Sequence, residues 1–415
     1  MSSTTSRLRL FAGIGVEMEY MIVDSRTLSV RPISDELIRS VAKEYVSDVD
    51  RGRISWSNEL VLHVIELKTN GPADSLTGLS GLFQNNVSEI NRILEPFSAC
   101  LMPTAMHPWM DPHTETRLWP HEYSPVYEAY NKIFGCQGHG WANLQSTHLN
   151  LPFSSDEEFA RLHAAIRLVL PVLPALAASS PIVEGQRAPW LDQRLAVYRT
   201  NSAKIPSLTG RVIPEAVFSQ AAYEAEIFEP MYRDIAPFDS DGVLQDEFLN
   251  SRGAIARFSR GSIEIRLIDI QECPIADIAI ASAVVGTLQA LVREQWSGFE
   301  AHCRMETPAL QDILFEAGRY GEEAVISDSQ YLRLFGLETT GPVRAGDLWK
   351  AIFEGGLGAQ IPEPAVSQAL AAILERGTLA RRILRSVQDD YSREHLVRVY
   401  RDLCGCLAAG RLFGE

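Results

Sequence analysis

Residues 15–20, GVEMEY, place two carboxylates at a spacing of two inside an apolar run that extends from Ile14 to Val23. Side chains alternate between the two faces of a β-strand, so Glu17 and Glu19 should point to the same side of a sheet. Two neighbouring carboxylates on a half-buried strand repel one another and lose hydration. A divalent metal ion between them is the most direct compensation, so this stretch predicts a metal-binding sheet.

The segment 54–69, rich in β-branched and aromatic residues, is predicted to be a further strand that carries Glu59 and Glu66. Their spacing of seven is odd, so a single unbroken strand would place the two carboxylates on opposite faces of the sheet. They could converge only across a bulge or a bend. The pattern leaves it equally open that one of them is a solvated or salt-bridged surface residue.

Two later strands add an imidazole, a carboxylate and an arginine. The strand predicted at 143–152 contains His148, although a lone strand histidine is more often a hydrogen-bonded structural residue than a metal ligand. The strand predicted at 261–270 places Glu264 and Arg266 on one face, because they are two residues apart. This pair could simply neutralise itself, or it could supply a metal ligand beside a phosphate-binding arginine.

Other arginines are candidates for binding anionic ligands. Arg257 and Arg260 lie just before the last strand and could form a phosphate site with Arg266, although an exposed basic loop has the same pattern. Arg199 and Arg211 fall in a proline-rich irregular region and could hold substrate carboxylates, or could equally be ordinary loop residues. Arg257, Arg260 and Arg266 are predicted to contact a nucleotide. Arg199 and Arg211 are predicted to contact a substrate.

Five carboxylates and one imidazole define the chemistry of the predicted site. Hard oxygen ligands in that number suit Mg²⁺ or Mn²⁺ better than zinc, and two or three ions shared with a nucleotide polyphosphate would use them all. The sequence contains no P-loop, HExxH or GxSxG motif and no complete dinucleotide-binding motif. The predicted metal ligands are Glu17, Glu19, Glu59, Glu66, His148 and Glu264.

Composition restricts the class of protein. The 415 residues carry 38 basic and 53 acidic side chains, a net charge of −15, which argues against nucleic acid or an anionic membrane as the main partner. The six cysteines lack CxxC pairs, and neither a signal peptide nor an uninterrupted apolar run of membrane-spanning length is recognised, so a cytoplasmic location is expected. Strands with mixed faces that alternate with helices predict an α+β fold with a mostly antiparallel sheet.

Five motifs, in order along the chain, resemble the glutamate–cysteine ligase family and in particular its bacterial second branch of carboxylate–amine ligases. They are GVEMEY, WSNELVLHVIELKTNGP, MHPW at 106–109, STHLNLP and GSIEIRLIDIQ. The resemblance implies a glutamine-synthetase-like catalytic core over residues 12–300, in which a curved, mostly antiparallel sheet forms a funnel with helices outside. A flexible segment, 1–11, would precede this core, and a helical extension, 301–415, would pack on it.

The resemblance also implies a reaction. In this family ATP phosphorylates a substrate carboxylate at Mg²⁺ ions, and an amine then displaces phosphate from the acyl phosphate to form an amide. The matched positions assign all six predicted ligands to the metals, and they assign Arg266, with Glu264, to catalysis at the transferring phosphoryl group. Glutamate and cysteine are the default small-molecule substrates. The motifs leave open another acid and amine as substrates. They also leave open a metal-dependent kinase or hydrolase, or a non-catalytic relative, in place of a ligase. A homo-oligomeric state is open as well.

Overall fold

The centre of the fold is an eight-stranded antiparallel sheet. The computed structural model describes residues 7–339 and 341–414. The strands in these residues are β1 (Gly15–Asp24), β2 (Asp48–Arg51), β3 (Ile54–Asn58), β4 (Val64–Thr69), β5 (Ala99–Met102), β6 (Ser146–Pro152), β7 (Ile182–Val183), β8 (Gln186–Arg187), β9 (Ala254–Arg257), β10 (Ser262–Asp269), β11 (Val325–Ile326) and β12 (Val343–Arg344). The main sheet has the order β2-β3-β4-β1-β6-β10-β9, and β5 also pairs with β1. The predicted antiparallel α+β architecture is confirmed.

Helices surround this sheet and dominate the chain after β10. The α-helices of the described residues are α1 (Ser34–Ala42), α2 (Leu79–Leu94), α3 (Pro112–Glu115), α4 (Ser124–Phe134), α5 (His139–Ala142), α6 (Asp156–Val169), α7 (Pro174–Ala177), α8 (Gln193–Tyr198), α9 (Gln220–Tyr223), α10 (Glu229–Ile235), α11 (Pro274–Val292), α12 (Phe299–Cys303), α13 (Thr307–Tyr320), α14 (Ser329–Leu334), α15 (Ala345–Ile352), α16 (Gly358–Gln360), α17 (Pro364–Arg376), α18 (Leu379–Val387) and α19 (Arg393–Ala409). Short 3₁₀ or π turns are Glu95–Phe97, Leu170–Val172, Pro206–Leu208, Glu224–Phe228, Glu247–Leu249, Gly321–Glu323 and Phe353–Leu357.

One face of the sheet is apolar and packs against helices. Val16, Met18 and Tyr20 of β1 are fully buried, and they belong to one hydrophobic cluster with residues of α2, α6 and α11. Because side chains alternate along a strand, the glutamates between these three residues must point to the other face. The packing of the helices therefore leaves the carboxylate-bearing face free to line a cavity.

Helix α11 is long and apolar enough to span a membrane by length and composition, and 72% of its most apolar window is buried inside the protein. It contacts α2, α6 and α17, the setting of a core helix, which accounts for its apolar surface on every side. Asp277 interrupts the run, but its buried carboxylate accepts hydrogen bonds from Thr147 Oγ1 at 2.6 Å and from the Gln271 N–H at 3.0 Å.

The segment predicted as one strand, 54–69, forms two strands, so that prediction is wrong. β3 and β4 pair antiparallel, with Ser57 opposite Glu66, and the residues between them reverse the chain. The reversal is stabilised by distant partners, since the Leu62 N–H donates to the Arg117 carbonyl at 2.8 Å. The odd spacing of Glu59 and Glu66 therefore does not keep their side chains apart. Glu59 lies in the reversal between the two strands, and the reversal brings it back beside Glu66.

The two ends of the described chain both pack on the sheet and its helices. Met21 and Val23 of β1 share a hydrophobic cluster with Ile383 of α18 and Tyr400 of α19. Near the first described residues, the Leu10 N–H donates to Glu158 Oε2 at 3.2 Å. Of the segment predicted to be flexible, 1–11, residues 1–6 lie outside the described residues. The division of the chain at residue 300 stays a prediction.

The histidine of the MHPW motif, His107, is fully buried and has a structural role. Its Nδ1 accepts hydrogen bonds from the N–H groups of Trp109 and Met110 at 3.2 and 2.9 Å. The proton of the neutral ring is therefore on Nε2, which donates to the Leu28 carbonyl at 2.8 Å. Burial lowers the pKa of His107 to about 3, so the ring is neutral in the folded protein.

We expect His107→Ala to lower the free energy of unfolding at pH 7 by about 2–4 kcal/mol, because buried hydrogen bonds and ring packing are lost. At pH 5 the difference from wild type should be smaller by about 2 kcal/mol. The unfolded wild-type chain gains a proton on this histidine below its ordinary pKa of 6.5, whereas the folded protein resists protonation down to about pH 3. Urea denaturation at both pH values measures the difference.

The matched control is His113→Ala, which removes an exposed histidine a few residues further along the chain. Its effect on the free energy of unfolding should be small at both pH values, because an exposed side chain loses little packing. A penalty for His107→Ala that is equal at both pH values would contradict a neutral, buried ring at this position.

Candidate active site

Cross-strand register brings five of the six predicted metal ligands onto one face of the sheet. Glu17 of β1 lies opposite His148 of β6, and Glu19 of β1 lies opposite Glu66 of β4. Directly opposed residues of antiparallel strands have their side chains on the same face. Glu264 of β10 pairs two residues along β6 from His148, so it shares that face as well. The sixth predicted ligand comes from the connection between β3 and β4.

The ligand atoms fall into two overlapping groups whose members lie within 4.8 Å of one another. One group consists of Glu17, Glu66 and His148, and the other of Glu19, Glu59 and Glu66. Carboxylate oxygens with a single imidazole suit Mg²⁺ or Mn²⁺. Glu66 belongs to both groups, so it would help to hold an ion at either one.

His148 and Glu19 are oriented by neighbouring polar groups. His148 Nδ1 is 3.0 Å from Glu17 Oε2, and its Nε2 is 2.8 Å from Ser146 Oγ. Glu19 Oε2 accepts hydrogen bonds from the Ser146 N–H at 2.8 Å and from Ser146 Oγ at 3.0 Å. Such contacts fix the rotamers of ligating side chains before an ion arrives. Three carboxylates surround the His148 ring, those of Glu17, Glu19 and Glu264, which is more than a purely structural hydrogen bond requires.

Glu264 is held between two arginines. Its Oε1 lies 2.6 Å from Arg266 Nε, and its Oε2 lies 3.2 Å from Arg257 Nε. Burial would raise the pKa of Glu264, but the charges of Arg266, Arg257 and His148 outweigh burial and hold that pKa well below its ordinary value. This carboxylate is therefore ionised throughout the physiological range, and Arg266 is held beside it.

The other four carboxylates lack full compensation by protein charges. Burial raises the pKa of each of them, and for Glu59 the charges of Glu19 and Glu66 raise it further. Within residues 7–339 and 341–414, Glu59 forms no ion pair. Buried carboxylates that repel one another bind cations well, because a cation removes the repulsion. This chemistry fits divalent metal ions bound by Glu17, Glu19, Glu59 and Glu66.

One cation that the sequence analysis missed, Lys68, lies beside these carboxylates. Its Nζ is 3.2 Å from Glu66 Oε1 and 3.2 Å from Asp48 Oδ2, and it donates to Ser57 Oγ at 2.8 Å. The signal was present, since Lys68 follows Glu66 by two residues on a strand and must share its face. Lys68 neutralises part of the charge at this edge of the site.

The carboxylate face opens into a cavity with two parts. The charged chamber, about 650 Å³, has Glu17, Glu66, Lys68, Arg257, Arg260 and Glu264 among its lining residues. The aromatic chamber, about 430 Å³, has Tyr123, Tyr127, Tyr130, Trp141, Tyr198 and Phe248 among its lining residues. Both chambers are lined by Glu19, Glu59, His148 and Arg266, and these four residues form the junction. A molecule in one chamber therefore meets a molecule in the other between carboxylates and an arginine.

The two arginines predicted to bind substrate do not line this cavity. The guanidinium of Arg199 lies over the rings of Trp190 and Phe315, 5.2 and 5.1 Å from their centroids. Arg211 is exposed and donates to Gln311 Oε1 at 2.7 Å. The structure therefore does not bring either arginine to the predicted site, since stacking holds the guanidinium of Arg199 away from the cavity and a surface hydrogen bond engages that of Arg211.

Helix α8 supplies the neighbouring residues that do reach the cavity, Arg194 and Tyr198. They are four residues apart and thus on one face of the helix, a signal that could have identified them. Arg194 Nη2 donates to the Arg266 carbonyl at 2.7 Å, and its Nη1 lies 3.4 Å from Asp269 Oδ1. Arg194 therefore supports the strand that carries Arg266.

The fold is shared with a solved ligase. Glutamate–cysteine ligase from Francisella tularensis, solved in complex with AMP, aligns with 97% of this chain and 94% of its own, with a TM-score of 0.61 and 13% sequence identity. At that identity the likeness concerns the fold, and it confirms the predicted glutamine-synthetase-like architecture. The fold and family are those of carboxylate–amine ligases.

Comparison of sequences defines the family. The profile of glutamate–cysteine ligase family 2 matches residues 13–402, and the chain therefore belongs to that family. An uncharacterized protein of Archaeoglobus fulgidus is 30% identical over 409 residues, which cover 96% of this chain and 100% of the relative. A protein of Paracoccus denitrificans named "Putative glutamate–cysteine ligase 2" is 26% identical over 89% of both chains. The resemblance inferred from the five motifs is confirmed.

Proposed function

We propose that this protein is an ATP-dependent carboxylate–amine ligase that forms an amide through an acyl phosphate. The observation that carries the proposal is the junction, where Glu19, Glu59, His148 and Arg266 line both chambers at once. A carboxylic acid in one chamber and a nucleotide in the other would meet there. The family membership of the chain supports this class of reaction.

The charged chamber is the better place for ATP. Arg257, Arg260 and Lys68 line this chamber and not the aromatic one, and a polyphosphate needs cations of this kind. Arg266 lines both chambers, so its planar guanidinium can contact a phosphoryl group as it moves between them. We propose contacts to the nucleotide from Arg257, Arg260 and Arg266.

Two or three Mg²⁺ or Mn²⁺ ions would be held by Glu17, Glu19, Glu59, Glu66, His148 and Glu264 and would supply neutralisation of charge while a carboxylate attacks a phosphate. Within the protein itself, Arg257 and Arg266 keep Glu264 ionised, and Ser146 keeps Glu19 and His148 oriented. A substrate packed against the aromatic walls would limit the access of water to the junction, which would protect an acyl phosphate from hydrolysis until the amine arrives.

Glutamate and cysteine are the default pair for the substrates, because relatives carry the name glutamate–cysteine ligase. An acid and an amine of another kind remain the alternative. We expect the reaction in the cytoplasm, in keeping with six cysteines that are all free thiols. We propose small molecules as partners, and neither nucleic acid nor a membrane.

The proposal is tested by phosphate release from ATP and MgCl₂ with a panel of acids, each with and without a panel of amines that includes L-cysteine. We expect phosphate release that depends on both an acid and an amine, together with a product whose mass equals acid plus amine minus water. Chelation of the metal by EDTA should stop the reaction. Phosphate release without any adduct would favour a kinase or hydrolase over a ligase.

A further inference from the structure

Aromatic side chains form much of the lining of the aromatic chamber. The ring centroids of Tyr130 and Trp141 are 5.2 Å apart, and those of Tyr130 and Phe248 are 6.5 Å apart. All three side chains are half-buried, so part of each ring faces the cavity. The apolar lining is extended by Leu60, Val126 and Leu144. Such a surface favours a planar apolar ligand over a charged one.

Positive charge in the aromatic chamber is already compensated. Among the described residues that line it, the arginines are Arg194 and Arg266. Arg194 lies 3.4 Å from Asp269 and Arg266 lies 2.6 Å from Glu264. A second carboxylate on the substrate, such as that of glutamate, would meet arginines that each already have an acidic partner, whereas an aromatic ring needs no counter-ion in this chamber.

The aromatic lining begins directly at the junction. The Tyr127 hydroxyl accepts a hydrogen bond from Asn58 Nδ2 at 3.0 Å, and Asn58 is the residue before Glu59. Burial raises the pKa of Tyr127, and the charge of Glu59 raises it further, which reflects their proximity. Tyr198 is similarly close to Arg266, whose charge opposes the effect of burial on the tyrosine pKa. A carboxylate at the junction would therefore have the rest of its molecule among these rings.

We propose that the acid substrate is an aromatic carboxylic acid and not glutamate, with its carboxylate at the junction and its ring in the aromatic chamber. The reaction assigned to this acid rests on the proposed function, but its binding does not. A carboxylate oxygen attacks the γ-phosphorus of ATP and the bond to ADP breaks, which gives the acyl phosphate. The amine nitrogen then attacks the acyl carbon, phosphate leaves, and the nitrogen loses a proton.

Isothermal titration calorimetry of the whole protein with MgCl₂, without ATP, tests the binding step. Benzoate, phenylacetate and 3-phenylpropanoate are compared with L-glutamate. We expect at least one of the three aromatic acids to bind about tenfold or more tightly than L-glutamate. Tyr130→Ala and, as a second variant, Trp141→Ala should each weaken the binding of that acid by about tenfold.

The matched control is Tyr320→Ala, which removes an exposed tyrosine on α13 that does not line either chamber. It should leave the dissociation constant unchanged. Tighter binding of L-glutamate than of every aromatic acid, no binding of any aromatic acid, or unchanged binding in Tyr130→Ala and Trp141→Ala would each overturn the proposal.

Hydroxylamine separates this inference from the proposed function, because it converts any acyl phosphate into a hydroxamate without the natural amine. A hydroxamate formed with ATP from an aromatic acid, and from L-glutamate much more slowly, supports both proposals. A hydroxamate from L-glutamate alone supports the ligase and overturns the aromatic substrate. No hydroxamate from any acid, while an aromatic acid still binds, refutes the ligase reaction and leaves the preference of the chamber for aromatic acids standing.

Discussion

Replacement of Glu264 by glutamine is expected to lower the turnover of ATP by about 1,000-fold or more while the protein stays folded. Glutamine has the shape of glutamate but no charge, so the substitution removes a proposed metal ligand without opening a cavity. It also removes the counter-ion of Arg257 and Arg266. Both arginines line the cavity, where solvent can reach them, so their loss of a partner should affect activity more than folding.

Steady-state phosphate release measures this effect, and circular dichroism with thermal denaturation reports the folded state. Glu157→Gln is the matched control, because Glu157 is 81% exposed and pairs with Arg161 on the surface of α6. This control should keep the wild-type rate. A Glu264→Gln protein of normal activity would remove Glu264 from the metal site and from the transfer step.

The second large effect is expected at Glu59, where stability and activity should change in opposite directions. Glu59→Gln removes one of three converging carboxylates, and in metal-free protein we expect it to raise the free energy of unfolding by about 1 kcal/mol, because the repulsion by Glu19 and Glu66 disappears. Turnover of ATP should fall by about 100-fold or more, since a metal position loses a ligand.

Thermal denaturation in EDTA and in MgCl₂ distinguishes these contributions. Wild-type protein should melt at a higher temperature in MgCl₂ than in EDTA, because an ion bound to the folded state stabilises it. The rise in melting temperature on adding MgCl₂ should be smaller for Glu59→Gln than for wild type. In EDTA, however, the variant should melt at a higher temperature than wild type. A variant that is less stable than wild type in EDTA would contradict the repulsion between these carboxylates.

The strands that carry the site were predictable because alternation on a strand determines which side chains share a face. Glu17 with Glu19, and Glu264 with Arg266, therefore lie as the pattern predicts. The position of Glu59 was not predictable in the same way. The reversal between β3 and β4 is held by hydrogen bonds to residues far along the chain, such as Arg117, and no local turn motif announces it.

The aromatic chamber was least accessible to sequence reasoning. Its walls include residues of α4, α5 and α8, short helices that converge only in the folded protein. In such a segment the sequence does not indicate which way an arginine side chain points. The sequence analysis for that reason named Arg199, which stacks on Trp190, and not Arg194, which lines the chamber, although the two residues lie within one short stretch of chain.

The packing of β1 against the helices near the other end of the chain has a consequence for synthesis. β1 pairs with β6, which is more than a hundred residues downstream, and its outer part is covered by Tyr400 and other residues of α19. Met21 and Val23 of this early strand must therefore wait for nearly the whole polypeptide before they are covered. Contacts of such long sequence separation slow folding and leave hydrophobic surface exposed meanwhile. The apolar surface at these two residues should consequently stay exposed until α19 has emerged.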